Sequence, residues 1–370
     1  MFGNLLNIIQ DKMIIISGKN EYEFYKNLKL NLNEGNIVCS NNHEYFCKYS
    51  VLLNFSGKRK LLFHNKKLGS NYLAMLLEFL MVIGNFGKEN IDRLKVIKNF
   101  YPRNYSLNLD SFELRDGERI FDWHGINQLK TIVDILKKEK QTSRGILFFL
   151  DVKDTINVKS EYSQPCQHWW QFLYKNNMLY MNACFRSLSL EEGLFLINYF
   201  ELNMFLRLVA KWLNVECGDL NVFVGQLVTK TQNSNYMKEA LECESWKEKK
   251  DVRISDLDIS IEYMQEDANN AIKFVQLDFS YKYRYLRERI RSKLIQEWVD
   301  LLHIAYLINN YKYEEAMNLY NRVEKDEFKL ACATSYLRLL ESNNKENSLL
   351  IQEILGVVKK DAEVFWENIG

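Results

Sequence analysis

The stretch NYLAMLLEFLMVI, residues 71–83, carries one charged side chain, Glu78, among apolar neighbours and is followed by Gly84 and Gly87. A segment that is apolar on every side predicts a buried helix, closed here by the glycines, and such a helix has to be wrapped by other structure. Residues 194–213 predict a second, longer apolar helix. Enclosing both takes a substantial core. A 370-residue chain with 47% hydrophobic residues can supply it as one large domain with an appendage, or as two domains.

Between these helices the pattern changes period. INQLKTIVDILKK, residues 126–138, spaces its apolar side chains at three and four and predicts an amphipathic helix, whereas the run from Ile146 to Leu150 suits a central strand. WWQFLY and MLYMNACF flank a KNN turn as a strand pair. Helices and strands in this mixed, segregated order predict an α+β fold, a mixed sheet packed with helices. Over 242–256, ECESWKEKKDVRISD, hydrophobicity falls and charges crowd, and beyond it the pattern is mostly helical. The expected organisation is a core over residues 1–245 and a helical C-terminal extension over 246–370.

The 49 basic and 48 acidic residues leave a net charge of +1, so no overall field draws in polymeric nucleic acid or an acidic membrane, and neither is an expected partner. The arginine-rich YRYLRERIRSKLIQEW reads as a solvated helix face, with RNA contact as the alternative. Asp11 and Lys12 interrupt the apolar N-terminus before a signal-peptide core or a spanning helix forms. Seven cysteines without a CxxC pair predict reduced thiols in a cytoplasmic protein. His168 has no second His or Cys at ligand spacing, so no metal is expected.

The chain has two prolines, and one of them precedes a cysteine in SQPCQHWWQF, residues 163–172. Pro165 fixes its own φ, restricts Gln164 and removes a backbone donor, which holds the chain extended where Cys166 is presented. Two readings of Cys166 follow: a thiol packed at the start of a strand, or a nucleophile held in a fixed place. Pro-Cys-Gln resembles the catalytic loop of DNA cytosine methyltransferases. The glycine-rich S-adenosylmethionine loop and the Glu-Asn-Val segment of those enzymes have no counterpart in the sequence, nor does a basic DNA-binding region.

The longer stretch PCQHWWQFLYKNNMLYMNACFRSLSLEEG, residues 165–193, resembles the thymidylate synthase and pyrimidine-nucleotide hydroxymethylase family from end to end. Pro165, Cys166, Gln171 and Phe172 fit its Pro-Cys-(four residues)-Gln-Phe pattern, and Arg186-Ser187 stands twenty residues after the cysteine, as the family's Arg-Ser does. LVAKWLNVECGDL, residues 208–220, is similar to the family's helix ending in Gly-Asp, here Gly218-Asp219. GINQLKTIVDILKKEKQTSRGIL, residues 125–147, is similar to the helix and Ser-Arg-Arg strand ahead of the cysteine. LRERIRSKLIQEWVDLLHIAYLI resembles the C-terminal helices of the hydroxymethylase-like branch, so the resemblance is to a divergent member acting on dCMP, dUMP or CMP. It spans about residues 30–240 and implies a thymidylate synthase-like sheet and a homodimer.

By that resemblance Cys166 adds to carbon 6 of a pyrimidine, Arg186 binds the substrate phosphate and favours the thiolate, and Ser187 donates to a phosphate oxygen. Arg144 is the phosphate ligand given across the homodimer interface, and its usual neighbouring arginine is Gly145. Asn198 reads the base edge, since an amide offers donor and acceptor together, once one inserted residue is allowed within SLSLEEGLFLI. The alternatives are a helix cap for Asn198 and a surface pair of Arg186 with Glu191 or Glu192. The family's glutamate for proton transfer falls at Met75, and Glu78, three residues on, is the expected substitute in apolar surroundings that raise its pKa.

Other motif positions depart as well. The folate-contacting aspartate is Ser189, the sugar-contacting His and Tyr are Val228 and Lys230, and a histidine position after the cysteine is Gln167. The implied cofactor is 5,10-methylenetetrahydrofolate with altered contacts. Two readings of function stand: a carbon-5 methyl- or hydroxymethyltransferase acting through a Cys166 adduct, or a catalytically inactive nucleotide-binding or protein-interaction member whose C-terminal helices are the interaction module.

Overall fold

The structure, a computed structural model, describes residues 13–19, 21–33, 37–39, 44–47, 49–57, 71–84, 116–156, 164–230, 256–324, 326–343 and 349–367. Eight strands form one sheet: β1 (Met13–Gly18), β2 (Ile37–Cys39), β3 (Glu44–Cys47), β4 (Ser50–Phe55), β5 (Ile146–Phe148), β6 (Gln167–Lys175), β7 (Met178–Ser189) and β8 (Glu216–Lys230). Their order is β1-β4-β8-β7-β6-β5, with β3 paired to β8 and β2 to β3. The pairs β1–β4 and β7–β8 are parallel and the others antiparallel, so the sheet is mixed.

The described helices are α1 (Glu21–Asn33), α2 (Tyr72–Ile83), α3 (Asp116–Phe121), α4 (Gln128–Lys138), α5 (Val152–Ile156), α6 (Asn198–Leu213), α7 (Met264–Gln276), α8 (Arg284–Glu288), α9 (Lys293–Asn309), α10 (Tyr313–Arg322), α11 (Glu327–Asn343) and α12 (Leu349–Glu367). A π-helix, Leu190–Ile197, runs directly into α6. This is the α+β class, a mixed sheet with helices.

The chain divides into two compact units, residues 1–68 with 119–246, and residues 69–118 with 247–370. The described helix within 69–118, α2, falls in the second of these units. The cause is visible in α2. It is buried along its whole length, and α7, α9 and α11 cover it, with Phe79 edge-on to Trp298 at 5.8 Å. The charge-rich stretch 242–256 lies almost wholly outside the described residues.

In the first unit the β6–β7 hairpin turns on Asn176 and Asn177, with φ of 49° and 61°. Two consecutive left-handed residues make the type I′ turn whose twist suits a hairpin, and asparagine tolerates that region. One face of the sheet is core: Ile16, Leu53, Val222, Ala183 and Trp170 are buried, and α6 packs on β7 and β8. The other face carries two unlike rows. Ile15, Leu52, Phe223, Cys184, Trp169 and Phe148 stand side by side across six strands. Of these Ile15, Phe223 and Phe148 are 57%, 38% and 51% exposed. The next row is an amide ladder, Asn54 to Asn221 at 2.6 Å, Asn221 to Asn182 at 2.9 Å and Asn182 to Gln171 at 3.3 Å.

Two expectations need correction. The run from Ile146 is a terminal strand of three residues, not a central one. It stops because the N–H groups of Phe149 and Leu150 both turn to the His168 carbonyl instead of continuing a ladder. Gly218-Asp219 lies inside β8, not at a helix end, because Asn214 adopts the left-handed conformation and closes α6 earlier. Among the described residues no helix is long and apolar enough to cross a membrane.

The second unit is helical. Trp298 of α9 is fully buried between Phe79 and Phe328. In its basic segment Arg287 forks onto Asp300, Arg291 meets Glu266 and Asp267, and Arg284 meets Glu288.

Candidate functional site

Cys166 is a reduced, exposed thiol in the bend between Pro165 and β6. Arg186 of β7 lies across from it and donates its backbone N–H to the Cys166 carbonyl at 2.9 Å. The guanidinium then reaches back over the same bend. Its Nε donates to the Pro165 carbonyl at 3.2 Å and its Nη2 to the Gln164 carbonyl at 2.9 Å. These two carbonyls precede the ladder of β6 and have no strand partner there, so the planar fork of one arginine serves both. Among the described residues no ion pair includes Arg186. The side chains of Glu191 and Glu192, its alternative partners, lie outside the description.

The loop is also held from below. Gln164 Nε2 donates to the Asp154 carbonyl of α5 at 2.9 Å, and the Asp154 carboxylate takes a two-pronged bond from Arg119 at 2.8 and 2.9 Å. Arg119 is 1% exposed, with its guanidinium 4.3 Å over the Trp123 ring. On the inner side Gln167 Nε2 donates to Glu201 Oε2 at 3.2 Å, and Trp170 Nε1 donates to Gln167 Oε1 at 2.7 Å. His168 is half-buried, and burial first and the Arg186 charge second hold its pKa below the ordinary 6.5, which favours the neutral imidazole. Among the described residues no three His, Cys, Asp or Glu side chains group to hold a metal.

Asn198 is half-buried at the first residue of α6. It does not cap a helix start, because the π-helix runs straight into it and its N–H bonds the Gly193 carbonyl. A π-helix closes each ring with one residue more than an α-helix. It occupies the same segment in which the family pattern needs one inserted residue. A Cβ on Gly193 would meet the Asn198 Oδ1 at 2.8 Å, so the glycine leaves room for that amide. Glu201 lies three residues along, on the same side of α6 as Asn198.

Ser187 is half-buried beside Arg186, and Ser189 ends β7. Arg144 is exposed just ahead of β5, ion-paired with Glu139 and bonded to Thr142 Oγ1 at 3.2 Å. The next residue cannot be the family's second arginine in this backbone, since a Cβ on Gly145 would come within 2.8 Å of the Phe172 carbonyl oxygen. Glu78 and Met75 are buried in α2, in the second unit.

The sequence therefore points to Cys166 and Arg186, which the structure places together, and to Ser187, the next residue of β7; it misses Gln164, Asp154, Arg119 and the Gln167–Glu201 pair. Glu201 did carry a signal: a carboxylate within the apolar run 194–213 needs a partner when that run is buried. The site as built presents an exposed thiol in a bend that an arginine holds by its carbonyls, an arrangement able to bring an anionic ligand to the neighbourhood of a nucleophile.

A family model described as thymidylate synthase matches residues 70–275, more than half of the 370-residue chain. No curated protein matches it.

Proposed function

Because the chain belongs to the thymidylate synthase family, we propose that it transfers a one-carbon unit to carbon 5 of a pyrimidine nucleotide through a covalent adduct between Cys166 and carbon 6 of the base. Members of the family bind pyrimidine nucleotides, carry out methyl-transfer chemistry at carbon 5 and typically form dimers. The observation that supports the reading is the clamp of Arg186 on the Gln164 and Pro165 carbonyls, which fixes the bend carrying the exposed thiol.

In this reading the thiolate forms the S–C6 bond and the C5=C6 electron pair moves to carbon 5, which becomes nucleophilic. Carbon 5 takes an electrophile, loses its own proton, and the S–C6 bond breaks to restore the double bond and the thiolate. Arg186 holds the nucleotide phosphate and favours the thiolate, Ser187 donates to a phosphate oxygen, and Asn198 reads the base edge. These roles are confined to the first unit. Glu78 lies in the second, and the reading does not depend on it.

The family generally uses methylenetetrahydrofolate, which supplies an electrophilic one-carbon unit. Of the carried-over folate positions, Ser189 offers a neutral hydroxyl where a carboxylate is expected, a poor fit, so no step above runs through the folate. We place a second copy of the chain on the outer sheet face. The apolar row from Ile15 to Phe148 gives that copy something to bury, and Arg144 would then be donated across the interface. Light scattering at micromolar concentration is expected to show a dimer, and a monomer would count against it.

The chemistry is tested by solvent-deuterium incorporation at carbon 5 of dUMP, dCMP, UMP and CMP, read by mass spectrometry. Wild type is expected to exchange at least one of them and Cys166→Ala none. A buried methionine at Met75, where the family places an acid, favours the inactive alternative. Absence of exchange with all four nucleotides in a folded protein would count against the transferase and for that alternative.

A further inference from the structure

Cys166 stands between two independent clamps, and one of them has no place in the chemistry described so far. Arg186 fixes residues 164 and 165 from the open side. Residue 167 is fixed from the inside, by α6. Gln167 is 2% exposed and Glu201 3%. An indole N–H can only donate, so Trp170 determines which end of the Gln167 amide is oxygen, and the amide nitrogen is thereby turned to Glu201. The register of β6 on β7 shifts between Gln167 and Trp169. At such a bulge the ladder does not by itself aim the chain, and side-chain bonds decide its course.

We propose that Glu201 is a positioning residue for the nucleophile, its buried carboxylate holding through the Gln167 amide the backbone that carries Cys166. A leucine would fill the same apolar surroundings on α6 without the desolvation that a carboxylate suffers. The acceptor is useful there because the Gln167 donor has to be satisfied away from water, and satisfying it on α6 ties the nucleophile's own strand to the helix that begins with Asn198. The thiol and the base-reading amide are then referred to one element. The inference rests on the Cys166 reading above.

The test compares wild type, Glu201→Gln, Glu201→Leu and the exchange of partners Glu201→Gln with Gln167→Glu, using deuterium incorporation into dUMP and dCMP well below each variant's Tm. Glu201→Leu leaves the buried amide donor unsatisfied and is expected to lower the maximal exchange rate by about 10- to 100-fold. Glu201→Gln keeps the shape and an acceptor but loses the charge assistance, for a loss of about fivefold. In both, half-saturation by nucleotide stays within about twofold, because the phosphate is held at Arg186. The partner exchange restores a carboxylate–amide pair and recovers most of the rate. If Glu201→Leu does not fold, Glu201→Gln and the partner exchange carry the comparison.

Unchanged rates in the folded variants, with wild type active and Cys166→Ala inactive, overturn the role of Glu201 and leave the Cys166 chemistry standing. A raised half-saturation at unchanged maximal rate also overturns it, because Glu201 would then serve binding. Wild-type protein that exchanges nothing overturns both.

Discussion

Arg186 in the first unit and the ion-paired arginines of the second unit are used in opposite ways. In the second unit Arg287 lies against Asp300 and Arg291 against Glu266 and Asp267, and their pKa values are raised with a hydrogen bond to the carboxylate as the largest cause. Each charge is met by a carboxylate within the unit. In the first unit Arg186 spends its hydrogen bonds on two backbone carbonyls, which fix the guanidinium without neutralising it. A cation held by dipoles keeps its field for a ligand, whereas a cation held by carboxylates contributes to stability and recruits little. The same residue type therefore marks a site at Arg186 and a scaffold at Arg287 and Arg291, as it also does at Arg119 of the first unit.

Removing Arg186 should be among the most damaging changes to exchange after loss of the thiol itself. Arg186→Met takes away a charge-assisted phosphate contact and one clamp, and a loss of about 10- to 100-fold in kcat/KM is expected, with little change in Tm. Arg186→Lys keeps a cation but not the fork, so an intermediate loss separates charge from geometry. Equal activity of Arg186→Met and wild type would break the contrast. Arg287→Ala is its mirror image: stability falls by about 1–3 kcal/mol in urea unfolding, from the loss of a partly buried bidentate pair, while exchange per folded molecule is unchanged.

How much of this was legible in the sequence follows from how local each feature is. The helices at 72–83 and 128–138 and the KNN hairpin are written in periodicity and turn residues over short spans. The approach of Arg186 to Cys166 was legible because both flank one hairpin, so sequence register becomes spatial register. β1 to β4 and β8 were not. β8 is fifteen residues long, but its outward positions mix Asn221, Phe223, Gly225 and Gln226, and its partners β4 and β7 come from distant parts of the chain. The π-helix left only a count that failed to close between Arg186 and Ala210. The Gln167–Glu201 bond joins residues 34 apart that no period connects.

The crowding of carboxylates in the second unit predicts a smaller effect, of about 1 kcal/mol. Burial, then Asp326, Glu324, Asp258 and Asp300, push Glu297 up to about 7. Its folded pKa lies above its unfolded value, so the folded state binds the extra proton and this group's contribution declines as pH rises from about 4.5 to 7. His303 on the same helix has the opposite sign: burial, then Lys312 and Arg287, lower it to about 4, so its contribution is lost as pH falls from 6.5 towards 4. Glu297→Gln should flatten the alkaline side alone, gaining about 1 kcal/mol over wild type at pH 8 after allowance for solvent screening and nothing at pH 4. Urea midpoints at the two pH values decide it. An equal gain at both would mean that Glu297 acts by packing, and that the carboxylates of this unit are not electrostatically crowded.

The smallest effect bears most directly on the contrast between the units. His168 feels the Arg186 charge, which adds to burial in lowering its pKa. If Arg186 keeps its charge unneutralised, Arg186→Met should move the His168 titration upward, towards but not reaching 6.5, because burial is the larger cause and remains. Were the guanidinium instead neutralised by a carboxylate, as Arg287 is, the histidine would hardly respond to its removal. A His168 NMR titration in the two proteins reads the difference without any nucleotide present. It thus tests whether the cation near Cys166 is available to an anion, independently of any substrate of the thiol.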